Sequence, residues 1–113
     1  MQVEATIVGH EAAQRLARAL LDAHLVASAH VHGPVEAHLR VHGVSCRLPH
    51  WRLTAITLAH HVEATEELLH REHERGVPFT HALPLVVSDH YRDWVTQSTH
   101  QSVKHGNPPA LPT

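Results

Sequence analysis

Hydrophobic and polar positions alternate with two different periods along this chain, and the switches between periods mark its elements. Val3, Ala5 and Ile7 alternate with Glu4 and Thr6, predicting a strand over Gln2–Val8 that Gly9 ends. From His10 to His24 the period changes: Ala13, Leu16, Ala17, Leu20 and Leu21 recur at spacings of three and four, one face of a helix. Strand character returns over Leu25–Val31. Gly33-Pro34 interrupts it without a full turn composition, so a bulge or kink within one long strand is expected. Beyond it Val35, Ala37, Leu39 and Val41 alternate with Glu36, His38, Arg40 and His42, a half-buried strand. His42-Gly43-Val44-Ser45 supplies the hairpin turn, and the returning strand runs roughly from Arg47 to Leu58, with Pro49 near its start.

The second half repeats the alternation of elements. His60 to Arg75 reads as a helix with a thin apolar face (Val62, Leu68, Leu69) and with Glu63, Glu66, Glu67 and Glu72 outward. Gly76 and Pro78 stop it. The apolar run Ala82–Val87 reads as a short strand, but Pro84 cannot donate to a ladder, so an edge or bulge position is expected. Ser88-Asp89 offers a cap for a helix from Tyr91 to about Gln101, with Tyr91, Trp94 and Val95 inward. Residues 1–103 thus form one domain, and the proline-bearing residues 104–113 a tail. Strand, helix, strand, strand, helix, strand and a short C-terminal helix is an α+β, ferredoxin-like βαββαβ sandwich, with both helices on one face of an antiparallel sheet. One chain has little left to cover the other face, so self-association through the sheet is expected.

Composition sharpens this in two places. Lysine occurs once, at Lys104, against eight arginines and 15 histidines. The formal charge of −2 therefore rises to +13 if every imidazole is protonated, a swing centred near an ordinary histidine pKa of ~6.5. Acidification from about pH 6.5 to 5 is expected to weaken any assembly as that charge accumulates. The neutral chain has no basic patch suited to nucleic acid. No run approaches the ~20 apolar residues of a membrane span, and the first residues lack the pattern of a signal peptide, so a cytoplasmic location is the expectation. Cys46 is the single cysteine, which excludes an intrachain disulfide.

Several stretches together resemble the CutA family of small trimeric proteins, named for divalent-cation tolerance. They are the helix Glu11–Leu21 followed by Leu25-Val26-Ala27-Ser28-Ala29-His30, Arg40-Val41-His42-Gly43 before the hairpin, His73 to Pro78, Ala82-Leu83-Pro84, and Tyr91 with Trp94. The resemblance covers roughly Gln2–Val95 and implies a homotrimer whose sheets pack around an axis, with the long hairpins and the proline-bearing edge strand completing neighbours. It also implies inter-subunit clefts where metal or small-ligand binding has been proposed. On this sequence the cleft residues are Ser28, His30, His50, His73, Phe79, Tyr91 and Trp94. Many depart from the family pattern. Its usual cysteine falls at Ser28, its asparagine at His30, its aromatic pair at Leu39 and Val41, its acidic pair near Pro49 and His50, its lysine at Ile56, and its glutamate at Phe79. His73 is retained.

The residues themselves offer two chemistries. His30 and His32 lie two apart on a strand and share a face, a spacing that suits two imidazole ligands on copper or zinc, with His73 or His50 added nearby or from a neighbour. Such pairs also arise by composition alone in so histidine-rich a chain; His38 and His42 flank Arg40 in the same way. Alternatively His30, His73 or Tyr91 serves in proton transfer on a small molecule in the inter-subunit cleft, since neutral imidazole suits either task. No organic cofactor is expected. A third possibility, a likeness to the PII signalling proteins, lacks the long nucleotide-binding loop. His60-His61 and His70 read as solvated helix surface, Cys46 beside Arg47 as a weak nucleophile candidate, and Trp51 and Trp94 as packing anchors.

Overall fold

Strands β1 (Gln2–Ile7), β2 (Ser28–Val41), β3 (Val44–Ile56) and β4 (Phe79–Leu83) form one antiparallel sheet in the order β2-β3-β1-β4. Helices α1 (His10–Asp22) and α2 (Val62–Glu72) cover one face, and α3 (Asp89–Ser98) follows β4. This is the ferredoxin-like order expected from the sequence. The computed structural model describes residues 1–73 and 79–100, Phe79 by its backbone alone. The expected helix stop at Gly76–Pro78 and the tail 104–113 lie outside the described residues.

The core sits between that helical pair and the sheet. Val3, Ala5 and Ile7 of β1 and Leu53 and Ala55 of β3 meet Ala13, Leu16, Ala17 and Leu20 of α1 and Leu68 and Leu69 of α2. Each fully buried leucine contributes about 1.5–3 kcal/mol of transfer free energy, so this cluster anchors both helices to the sheet. The thin apolar face of α2 is completed by Thr65, fully buried, whose hydroxyl donates to the His61 carbonyl at 2.8 Å. Glu66, expected to point outward, instead accepts a 2.8 Å hydrogen bond from Thr80 of β4.

Other boundaries shift for local reasons. Helix α1 ends at Asp22, not His24, because His24 turns into the left-handed region (φ 58°) and Leu25 N–H donates back to the Leu20 carbonyl. Leu21 lies off the buried stripe and is exposed. The expected helix over His60–Arg75 opens with a 3-10 turn, Ala59–His61, and becomes α-helical from Val62 to Glu72. The last strand ends at Leu83 rather than reaching Val87, since Pro84 has no N–H to continue the ladder. The hairpin turn is the pair His42-Gly43, both at positive φ, as a two-residue turn between right-twisting strands requires.

The interruption at Gly33-Pro34 is a bulge. His32 pairs with Arg52, but the next pair is Val35 with His50, so β2 carries one residue more than β3 there. The peptide bond before Pro34 is cis. The extra residue reverses the side-chain parity of β2. Before it, Ala29 and Val31 face the helices, opposite Ala55 and Leu53; after it, Val35, Ala37 and Leu39 face the other way, opposite His50, Leu48 and Cys46. The far half of the hairpin therefore turns its apolar side to the face that the helices leave uncovered, and Val44 (65% exposed) and Leu48 (42%) remain open.

Candidate functional site

The uncovered face is polar where it backs the helices. Cross-strand pairs share a face, so the register aligns His30, Thr54, Glu4 and His81 in one row across the sheet, and His32, Arg52 and Thr6 in the next. His30 and His32 stand together at the β2 edge, their rings stacked with centroids 6.4 Å apart and planes 23° off parallel. Two imidazoles so placed can reach a common cation with small side-chain adjustment. Toward the opposite edge, Glu4 Oε2 lies 3.0 Å from His81 Nε2, and Glu4 Oε1 accepts a 2.9 Å hydrogen bond from Gln2. Both carboxylate oxygens are thereby engaged.

Beside the bulge the same face holds a crevice of about 310 Å³, lined by Thr6, Val35, Ala37, Leu39, His50, Trp51 and Arg52. His50 is 6% exposed and Arg52 is exposed; neither side chain makes a hydrogen bond or ion pair with another described residue. A second crevice, about 240 Å³, lies at the end of the sheet under α3, among Met1, Ile56, Leu58, Pro84, Tyr91 and Val95. There Ser88 caps α3 by accepting from the Tyr91 N–H at 3.2 Å, and Tyr91 meets Trp94 edge to face at 5.5 Å.

Within one chain the expected cleft residues do not form one cleft. Ser28 and His30 belong to the β2 edge, His50 to the bulge crevice, and Tyr91 with Trp94 to α3 and the end crevice. His73 is buried at the C-cap of α2, an element on the helical side of the sheet, whereas His30 and His32 face the other side. The expected three-histidine set His30, His32 and His73 is thus not assembled by a single chain. No three His, Cys, Asp or Glu side chains among the described residues converge as a metal cage. The acid–base alternative fares likewise: the bulge crevice takes His50 and the end crevice Tyr91, and neither contains His30 or His73. Of Phe79 only its strand position, opposite Thr6, is described.

Other side chains also depart from expectation. His60 and His61, in the 3-10 turn, bring their rings together with centroids 4.1 Å apart and planes tilted by 43°. Burial, and then the charge of His60, lower the His61 pKa below 6.5. Arg47 lies on the opposite face of β3 from Cys46 and pairs with Glu36 at 3.2 Å, so it does not flank the thiol. Arg52, Thr6 and the Glu4–His81 pair were not legible as site residues, although Arg52 and Thr54 break the apolar run of Leu53 and Ala55 at the period of a two-faced strand.

The model of the CutA1 divalent ion tolerance protein family matches residues 1–98. Solved structures share the fold. CutA1 from Oryza sativa is 26% identical over 89% of this chain and 94% of its own, with a TM-score of 0.82. The divalent cation tolerance protein from Thermus thermophilus is 25% identical, over 88% of this chain and 100% of its own, at 0.81. CutA from Synechococcus elongatus is 25% identical over 88% of each chain, at 0.79. No functionally curated protein matches significantly. Among the described residues no helix is long and apolar enough to cross a membrane.

Proposed function

The chain belongs to the CutA1 divalent ion tolerance family, and on that premise we propose that it binds a divalent cation, copper or zinc, through His30 and His32 in a homotrimer. The role is metal tolerance or metal-linked regulation. One observation carries the reading: the two imidazoles stand side by side on the uncovered sheet face, with centroids 6.4 Å apart. Imidazole nitrogen suits both ions, at bond lengths of about 2.0–2.1 Å for zinc. Two nitrogens make half of a tetrahedral set, and donors from neighbouring copies or solvent complete it.

Assembly is supported by what a single chain leaves open. The parity reversal at the bulge gives the far hairpin an apolar side, Val35, Ala37, Leu39 and Leu48, that neither α1 nor α2 covers. Leu83, Leu85 and Val86 add an exposed apolar strip at and beyond the β4 edge. Packing uncovered faces around an axis buries both and brings histidines from different chains together.

Native mass spectrometry at neutral pH, with and without added copper and zinc, tests the proposal. The expected result is a trimer carrying a fixed whole number of ions, lost in His30→Ala and in His32→Ala without a change in protein mass state. A trimer that takes up ions only in graded fashion, or that keeps them in His30→Ala, overturns the cation site. A monomer at micromolar concentration overturns the assembly.

A further inference from the structure

We propose that the cation site is shared between copies: His30 and His32 of one chain and His81 of the next hold one zinc ion at each contact of the trimer, and Glu4 orients His81. The inference rests on the His30–His32 reading and on assembly, and adds to them the residue that continues the ligand set.

The sheet sets these groups at its two edges. In the order β2-β3-β1-β4 only β2 and β4 have an unpaired side. His30 and His32 stand on the first and His81 on the second, all three exposed and all on the face that the helices leave uncovered. The row His30, Thr54, Glu4, His81 crosses three strand spacings, roughly 14 Å at ~4.7–4.9 Å each. One chain therefore cannot bring both ends of the row to one ion, and a ring of three copies can. Three-fold closure needs head-to-tail contacts, in which each copy meets one neighbour through a different patch from the one it offers the other. The two edges of the sheet are such a pair of patches. With the uncovered faces packed around an axis, the β2 edge of one copy comes against the β4 edge of the next.

His81 is already held in the way a metal-binding imidazole is held. Its Nε2 lies 3.0 Å from Glu4 Oε2, and Glu4 is itself steadied by Gln2, which donates to Oε1 at 2.9 Å. A carboxylate that accepts one ring N–H fixes the orientation of the ring and leaves the other nitrogen, here Nδ1, as a lone-pair donor. The Glu4 side chain is 20% exposed and that of His81 59%, so the carboxylate backs the ring and the ring faces outward. His30 and His32 present two more imidazoles, with centroids 6.4 Å apart. Three imidazole nitrogens and a fourth position filled by solvent form a set that zinc takes.

Native mass spectrometry of the full chain with added zinc tests this. The parent should carry three ions per trimer, one at each contact. His81→Ala should weaken zinc binding at least about tenfold, with trimer mass and circular dichroism unchanged. Glu4→Ala should weaken it about tenfold, and Glu4→Gln less, because the amide oxygen still accepts the ring N–H. The decisive sample co-expresses two chains, one His30→Ala and His32→Ala, the other His81→Ala. Neither homotrimer should hold zinc at a concentration that saturates the parent. Every mixed trimer has one contact with all three histidines intact and should carry one ion. Mixed trimers without zinc overturn the proposal. So does full zinc binding by His81→Ala trimers, which would leave the His30–His32 reading standing. Retention of zinc by His30→Ala trimers would overturn that reading and this one with it, and unchanged affinity in Glu4→Ala would remove its orienting role.

Discussion

Adding a single methyl group at Gly33 tests how tightly the bulge is held. A Cβ built there lies 2.6 Å from Cε3 and 2.7 Å from Cδ2 of Trp51, and 3.0 Å from the His50 carbonyl oxygen. Carbon atoms pack best at roughly 3.5–4.0 Å, so the indole has to withdraw by about 1 Å. It is not free to do so at no cost, because it also carries the His10 imidazole, stacked with centroids 3.9 Å apart and planes 13° from parallel. Overpacking costs about 1–3 kcal/mol and a lost ring stack about 0.5–1.5. Gly33→Ala should therefore destabilise the fold by about 2–4 kcal/mol, a large share of the ~5–15 that hold a domain folded. Urea denaturation followed by far-ultraviolet circular dichroism, at fixed chain concentration, reads this directly. The decisive measurement repeats the substitution in a Trp51→Ala background, where the His50 carbonyl and the backbone strain of an L-residue at φ 159° remain. The penalty should fall by about 2 kcal/mol, the coupling energy of the indole contact. A cost below about 0.5 kcal/mol in the parent, or the same cost in both backgrounds, would refute the reasoning.

Three further outcomes follow from the same geometry. Leu48→Glu places a charge on the uncovered side of the hairpin without touching the core, and should shift sedimentation from trimer to monomer while leaving circular dichroism unchanged; a persistent trimer would move the interface elsewhere. Thr65→Val keeps the shape but removes the hydroxyl donated to the His61 carbonyl, and should cost about 1 kcal/mol in urea unfolding. Burial and His60 hold the folded-state pKa of His61 below its ordinary value near 6.5, so the fold favours the neutral ring. Its contribution is complete above about pH 6.5, is lost as pH falls through that value, and levels off below the folded pKa. His61→Asn should accordingly flatten the fall in urea midpoint between pH 7.5 and 5.5, and an unchanged slope would remove His61 as a cause.

Periodicity made most of the fold legible, because nearly every element has one buried side: Val3, Ala5 and Ile7 could only be a strand, and Ala13, Leu16, Ala17 and Leu20 only a helix. The errors fell where a hydrogen bond or a missing donor overrode the pattern, as with the left-handed His24 that ends α1 and Pro84 that ends β4. The site was less legible for a different reason. Sharing a strand face is a local property, so His30 and His32 could be paired from spacing alone. Placing Arg52 beside Thr6, or Glu4 beside His81, requires the cross-strand register, which depends on where distant strands meet. The bulge makes this plain. In the sequence, the apolar alternation before Gly33 and after Pro34 looks like one strand with a defect. The extra residue in fact assigns the two halves to opposite sides of the sheet, one to the core and one to whatever lies across the uncovered face. A deletion of Gly33 would test that assignment most directly. It would return Val35, Ala37 and Leu39 to the helical side and expose Glu36 and His38 on the other. The chain should then keep the core around Leu16 and Leu53 but lose the proposed trimer. If the deletion variant remained a trimer, the far hairpin would not be what holds the copies together.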